Sequence, residues 1–185
     1  MKHVTVGLIA LLFAILAISP VSGQSISVLG GYTSPNNPDL LSNAYNGSVD
    51  VKVRGTHDID ATPFHLVAQS NYSRSGLDSD AIDGGAINRL GGMIGFGAHA
   101  DINRVRLYTQ FVSGIQGTQV GDFTVLGINA GGSDWQGLVA IEGAIGARIG
   151  LSSRFALQAE TSYLRISDGQ SPSWFNFLGG ITVLF

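Results

Sequence analysis

The chain has 185 residues, a net charge of −3, 26 glycines, five prolines and no cysteine. The lack of cysteine excludes a disulfide framework and a zinc–thiolate site, and the slightly acidic balance indicates no nucleic-acid partner. After the first 23 residues, no segment supplies the 18 or more apolar residues expected of a membrane helix. We therefore expect a single domain, which would have to enter a membrane as a closed sheet if it enters one at all.

Residues 1–23 have the pattern of a secretory signal peptide. A basic start at Lys2 is followed by a nearly unbroken apolar run and then by small or short residues up to Gly23. The run is about 15 residues long, whereas a spanning helix needs about 20. The pattern predicts cleavage after Gly23 and export of the domain formed by residues 24–185.

Within that domain, apolar and polar residues alternate with a period of two, which predicts β-strands. Eight such segments are separated by connections rich in Gly, Pro, Asn and Asp. The predicted strands are 26–33, 45–57, 64–72, 89–100, 104–115, 135–149, 154–166 and 174–185. Most of them are long enough for the roughly 9 to 11 residues with which a tilted strand crosses a bilayer.

The connections between these strands alternate in length. The longer ones are 34–44, 75–87, 116–134 and 167–173, and the links between them are short. This alternation predicts an all-β, eight-stranded antiparallel up-and-down transmembrane barrel with both termini on the short-turn side. Residues 123–128 could form a strand extension or a hairpin above the barrel, whereas a separate spanning strand there would make the strand count odd.

Charged side chains inside the strands share the parity of the polar face. The predicted interior polar network is Asp50, Lys52, Arg54, Arg106, Glu142, Arg148 and Glu160. An outward Arg or Lys at the middle of a bilayer would cost about 2 to 4 kcal/mol, and a soluble ligand-binding barrel would have the reverse polarity. The pattern therefore predicts lipid outside and a plugged polar interior.

Two of these acids, Glu142 and Glu160, lie on adjacent predicted strands. If they come close together, a cation must lie between them, because buried charges require a partner. The candidates for that cation are Lys52, Arg106 and Arg148.

The last strand reads WFNFLGGITVLF and ends in an aromatic residue. It resembles the closing strand of bacterial outer-membrane β-barrels, and the architecture of residues 24–185 is similar to that of the small OmpA-like and OmpX-like barrels, the outer-membrane β-barrel domain family. The resemblance implies an integral outer-membrane location, with outer-membrane lipid and the outer-membrane assembly machinery as partners. It also implies a C-terminal assembly signal, formed by Phe177, Ile181, Val183 and Phe185.

The loops have a generic composition of Gly, Ser, Asn and Asp, so we expect a non-enzymatic structural or surface-interaction role with an unknown extracellular ligand. No catalytic residue and no cofactor is predicted. Two alternatives stay open. A narrow pore or hydrophobic-ligand conduit would require a lumen free of the charged network, and a lipid-modifying enzyme would require a Ser, His and acid cluster.

Three histidines, His57, His65 and His99, lie near the short-turn end of the predicted barrel. His65 and His99 point inward from adjacent strands. We expect them to pair through a hydrogen bond rather than to bind a metal, because the sequence pattern offers no clear carboxylate partner.

Overall fold

A computed structural model of the protein describes residues 23–36, 45–77, 82–129, 131–167 and 173–185. Its long strands are β1 (Gln24–Pro35), β2 (Tyr45–Asp58), β3 (Phe64–Leu77), β4 (Ala86–Ile102), β5 (Val105–Val120), β6 (Gln136–Gly150), β7 (Phe155–Ile166) and β8 (Trp174–Leu184). Residues 1–22 of the predicted signal peptide lie outside the described residues, so its cleavage stays a prediction.

The eight long strands form one closed antiparallel barrel. Each strand pairs with its neighbours along the chain, and β1 pairs with β8 to close the sheet. Closure satisfies the backbone groups of both terminal strands, so neither leaves an open edge. The predicted fold class is confirmed. Among the described residues, no helix is long and apolar enough to cross a membrane.

The alternation along each strand separates an apolar exterior from a polar interior. Outward-facing Val49 and Ile94 are 67% and 68% exposed, whereas Asp50 and Met93 beside them are buried. Exposed aromatic side chains mark both ends of the barrel: Tyr32, Tyr72, Tyr163 and Phe175 toward the loops, and Phe64, Phe155 and Phe185 toward the turns. Two such belts are typical of a sheet that crosses a bilayer.

Four strands extend farther toward the loop end than the sequence predicts. β1 continues to Pro35 and β3 to Leu77, β4 already begins at Ala86, and β5 continues to Val120. The predicted loop bounds 34–44, 75–87 and 116–134 were therefore wrong. The reason is that ladder hydrogen bonds use backbone groups, so segments rich in Gly and Ser can pair as strands although their composition is typical of loops.

The long connection between β5 and β6 contains a small hairpin. Thr124–Val125 pairs with Ile128–Asn129, and Thr124–Val125 also pairs with Ile82–Asp83 to give a three-stranded sheet. Between them, Leu126 and Gly127 have φ angles of +51° and +78°, the signs that a tight two-residue hairpin turn requires. Of the two interpretations, the hairpin is correct, and the number of long strands stays at eight.

Candidate functional site in the barrel interior

Four charged side chains meet at mid-height in the lumen, and we call them the central network: Lys52, Arg54, Glu142 and Glu160. Lys52 and Arg54 come from β2, whereas Glu142 and Glu160 come from β6 and β7 on the other side of the barrel. Their side chains are between 0% and 1% exposed. With two cations and two anions, the network balances its own charge.

Lys52 is the cation that lies between the two carboxylates. Its Nζ donates to Glu142 Oε1 at 2.5 Å and to Glu160 Oε1 at 3.1 Å. Arg54 forms a bidentate ion pair with Glu160, in which Nη2 donates to Oε1 at 2.8 Å and Nη1 donates to Oε2. These bonds cross the lumen and tie β2 to the opposite wall.

Neutral side chains complete the hydrogen bonds of Arg54. Gln69 Oε1 accepts from its Nε at 3.2 Å and from its Nη2 at 3.0 Å. The amide of Gln110, with its oxygen turned toward the guanidinium, accepts from Nη2 at 2.6 Å. A buried cation with this many acceptors meets the condition under which an ion pair is tolerated away from water.

Tyr108 supports the same carboxylate from β5. Its hydroxyl donates to Glu160 Oε2 at 2.8 Å and accepts from Gln158 Nε2 at 2.8 Å. The ring lies opposite Gly146 on β6, where an added Cβ would overlap it. Glycine at this inward position therefore leaves the room that Tyr108 occupies.

The other predicted interior residues lie outside this cluster. Asp50 is buried on the loop side of Lys52, and its Oδ1 makes no hydrogen bond among the described residues. Arg106 and Arg148, the two other candidates for the bridging cation, face each other in register near the turn end. Arg106 binds Asp58 and Asp101 there, and no described carboxylate lies within ion-pair distance of Arg148.

The lumen also contains an apolar cluster, which begins beside the central network and extends toward the loops. Its members are Val67, Met93, Val112, Ala140, Leu164, Ile166 and Trp174. The guanidinium carbon of Arg89 lies 3.7 Å from the centroid of the Trp174 ring, a cation–π contact. Sequence reasoning assigned no role to Arg89 or to this cluster, although inward parity in β4 and β8 could have indicated both.

At the opposite end, the short-turn side of the lumen holds a second polar group, which we call the turn-side mouth: Asp58, His65, His99, Asp101 and Arg106. Arg106 Nη1 donates to Asp58 Oδ2 at 2.7 Å, and its Nε and Nη2 donate to Asp101 at 2.7 and 2.9 Å. Asp58 lies directly opposite His65 in the β2–β3 ladder. The expectation that the histidines lack a carboxylate neighbour was wrong.

The structure is a closed sheet of eight strands with an apolar exterior and a buried ionic interior. This is the fold of the small outer-membrane β-barrels. Solved structures of such barrels are similar to this chain. The crystal structure of Neisserial surface protein A matches with a TM-score of 0.63 at 13% identity, covering 89% of this chain and 98% of that one. The fold that the sequence resemblance implied is confirmed.

A second similar structure is the attachment invasion locus protein of Yersinia pestis, crystallised with the heparin analogue sucrose octasulfate. It matches with a TM-score of 0.57 at 14% identity, over 89% of this chain and 100% of that one. No protein-family model and no curated protein sequence matches the chain. At these identities the likeness shows the fold alone.

Proposed function

We propose that this chain is an integral protein of the bacterial outer membrane, with its short turns and both termini in the periplasm and its long connections at the cell surface. The apolar exterior between two aromatic belts supports this location, because such a surface suits acyl chains and headgroups. The unequal connections support the orientation, since outer-membrane barrels have short periplasmic turns and longer outer loops.

Cell fractionation followed by gel electrophoresis of heated and unheated samples tests the location. We expect the protein in the outer-membrane fraction, with a mobility that changes on heating. Recovery of most of the folded protein in a detergent-free soluble fraction would refute the location. Protease treatment of intact cells tests the orientation, because only cleavage within the long connections agrees with it.

The lumen, we infer, does not conduct ions. The observation that carries this inference is the central network, in which Lys52, Arg54, Glu142 and Glu160 bind one another across the barrel and are withdrawn from solvent. An ion passing through would have to separate these pairs, and the loop-side members of the apolar cluster, Leu164, Ile166 and Trp174, add a second barrier. A plugged interior favours a structural or surface role over a narrow pore or a conduit.

Conductance across planar bilayers tests the plug. The unmodified barrel should show no steady conductance, whereas Glu142→Gln with Glu160→Gln should produce openings because Lys52 and Arg54 lose their partners. Asp134→Asn is the matched control, since Asp134 is an exposed acid in a connection. A large steady conductance in the unmodified protein would refute the plug.

The surface role depends on the four connections at the loop end: 36–44, 78–85, 121–135 and 167–173. Together they contain seven aspartates and no lysine or arginine. The hairpin between β5 and β6 also presents Leu126 and Ile128, both largely exposed. Charge complementarity therefore favours a basic partner with apolar contacts, and it disfavours the polysulfated kind of ligand present in the Yersinia structure.

Binding to two immobilised polymers distinguishes these partners. We expect the barrel to be retained on polylysine at low ionic strength and to pass through heparin, and we expect Asp122→Asn with Asp134→Asn to weaken retention. Retention on heparin alone would refute the proposed charge preference.

We propose further that the protein is not an enzyme. In the described part of the chain, His65 and His99 contact each other, and no serine hydroxyl is hydrogen-bonded to a histidine. A lipid-modifying barrel of the serine-hydrolase kind would need such a serine for nucleophilic attack. Esterase and phospholipase assays on the detergent-solubilised barrel should give no activity above that of a boiled sample, and turnover that saturates with substrate would favour the enzyme alternative.

The terminal residues Phe177, Ile181, Val183 and Phe185 belong, we propose, to a signal for the assembly machinery. Phe177, Ile181 and Phe185 face outward and are half-exposed, so truncating the last of them should leave the packing of the lumen unchanged. Phe185→Ala should therefore lower the amount of assembled barrel in cells while barrels refolded in detergent keep their stability. Equal losses in both experiments would indicate a purely structural role.

A further inference from the structure

The turn-side mouth brings together three side chains that commonly bind transition metals. One ligand atom from each of Asp58, His65 and His99 lies within 4.8 Å of the other two. The three residues come from the ends of β2, β3 and β4, which are consecutive in the barrel. The sheet therefore fixes their backbone positions, as a preformed site requires.

The two imidazoles are close enough for the hydrogen bond that the sequence predicts, and their spacing also suits a shared ion. His65 Nδ1 and His99 Nδ1 are 3.4 Å apart, a longer separation than the roughly 2.7 to 3.2 Å typical of N–H···O hydrogen bonds. Two nitrogens that each lie about 2.0 to 2.1 Å from a tetrahedral zinc ion are themselves about 3.3 Å apart. The pair therefore has the spacing of two ligands of one ion.

The surroundings hold these ligands in place. Asp58 Oδ2 accepts from Arg106, which leaves Oδ1 without a hydrogen bond among the described residues. His99 Nε2 lies 3.9 Å from Asp101 Oδ2, so a carboxylate is near the second nitrogen of this ring without a direct hydrogen bond to it. Gly97 lies opposite His65, and a Cβ there would overlap the His65 ring.

The ligand atoms select the kind of ion. Arg148 lines the same cavity as Asp58 and His65 and repels every divalent cation alike, so the choice depends on the two imidazoles. A hard cation such as magnesium, which binds through oxygen ligands and charge, is disfavoured by this set. Imidazole nitrogens suit zinc, copper and nickel.

We propose that Asp58, His65 and His99 bind one divalent transition-metal ion, of which zinc is the example to test, at the short-turn mouth of the barrel. The partly exposed Asp58 and Asp101 give the site an approach from solvent on that side. The site is independent of the proposed surface role, because it lies at the opposite end of the lumen.

Titration calorimetry with zinc chloride tests the site, on protein purified from membranes in detergent with a histidine-free tag and with magnesium in excess. We expect one zinc ion per barrel. His65→Asn and His99→Asn should each weaken binding at least about tenfold, since even outer-shell changes cost that much. Heat-modifiable gel mobility must show that each variant is still a barrel.

His57→Asn is the matched control. His57 lies next to Asp58 on β2 but faces outward and is exposed, so its loss should leave the zinc affinity unchanged. Absence of zinc binding by the unmodified barrel would overturn the proposal and leave the two histidines as a simple contact pair. An equal loss in the His57 variant would also overturn it, because it would indicate chelation at the surface.

Discussion

The central network and the turn-side mouth contain the same kind of ion pair in different surroundings. Arg54 and Glu160 are 1% and 0% exposed, whereas Arg106, Asp58 and Asp101 are 25%, 23% and 53% exposed. Removing one member of a buried pair leaves an uncompensated charge away from water, whereas water and salt replace a lost partner at an exposed pair. We therefore expect access to water, rather than the number of hydrogen bonds, to decide how much each pair contributes to stability.

The largest effect should come from Arg54→Met. The substitution leaves the central network with one cation for two carboxylates, and breaking a buried pair in this way costs about 3 to 5 kcal/mol. Urea unfolding of the barrel, followed by heat-modifiable mobility, measures this loss.

The double variant Arg54→Met with Glu160→Gln shows whether charge imbalance causes the loss. It restores the balance between Lys52 and Glu142, so it should be more stable than the single variant. Arg165→Met makes the same change at an exposed position and should alter stability by less than about 0.5 kcal/mol. A single variant as stable as the Arg165 control would contradict the expected contrast.

A smaller effect should follow from Gly146→Ala, which tests the support of the central network by Tyr108. The new methyl group would overlap the Tyr108 ring and the carbonyl oxygen of Ala159, and such overpacking costs about 1 to 3 kcal/mol. Gly143→Ala is the control on the same strand, because no atom lies within 4 Å of its added Cβ. Equal unfolding midpoints for the two variants would show that Tyr108 can move aside freely.

The smallest effect should come from Arg106→Met at the turn-side mouth. Its pairs with Asp58 and Asp101 are partly exposed, so their loss should cost about 1 kcal/mol or less. Added salt should reduce this cost further by screening, whereas the cost of Arg54→Met should persist. Repeating the urea titrations at low and high salt measures the difference. If the loss of stability caused by Arg106→Met did not change with salt, the ion pairs of the turn-side mouth would behave like those of the central network.

The sequence predicts the barrel well because the alternation of apolar and polar residues within each strand shows which of its faces meets lipid. Alternation of valines with Asp50, Lys52 and Arg54 fixes the faces of β2 without any knowledge of its neighbours. The same argument places Glu142 and Glu160 inside. The ends of β3 and β5 were missed because backbone pairing does not require the side chains by which strands are recognised.

The partners of the interior charges are harder to predict, because they depend on how far each strand is staggered against the next. Parity places Arg106 and Lys52 on the same face but does not give their heights along the barrel. The register sets Arg106 opposite Arg148 near the turns and brings Lys52 to Glu142. The contact of Asp58 with His65 was missed for a related reason, since Asp58 was assigned to a turn and is the last residue of β2.

The seam of the barrel joins the two ends of the described sheet, with Ser25 opposite Leu184 and Pro35 opposite Trp174. Nearly the whole domain must therefore be synthesised before the barrel can close. Until then, one edge of β1 has no partner strand. Pairing between strands so distant in sequence makes folding slow and leaves the unfinished barrel prone to aggregation. Until β8 is available, the unpaired edge of β1 is a template for pairing with another chain.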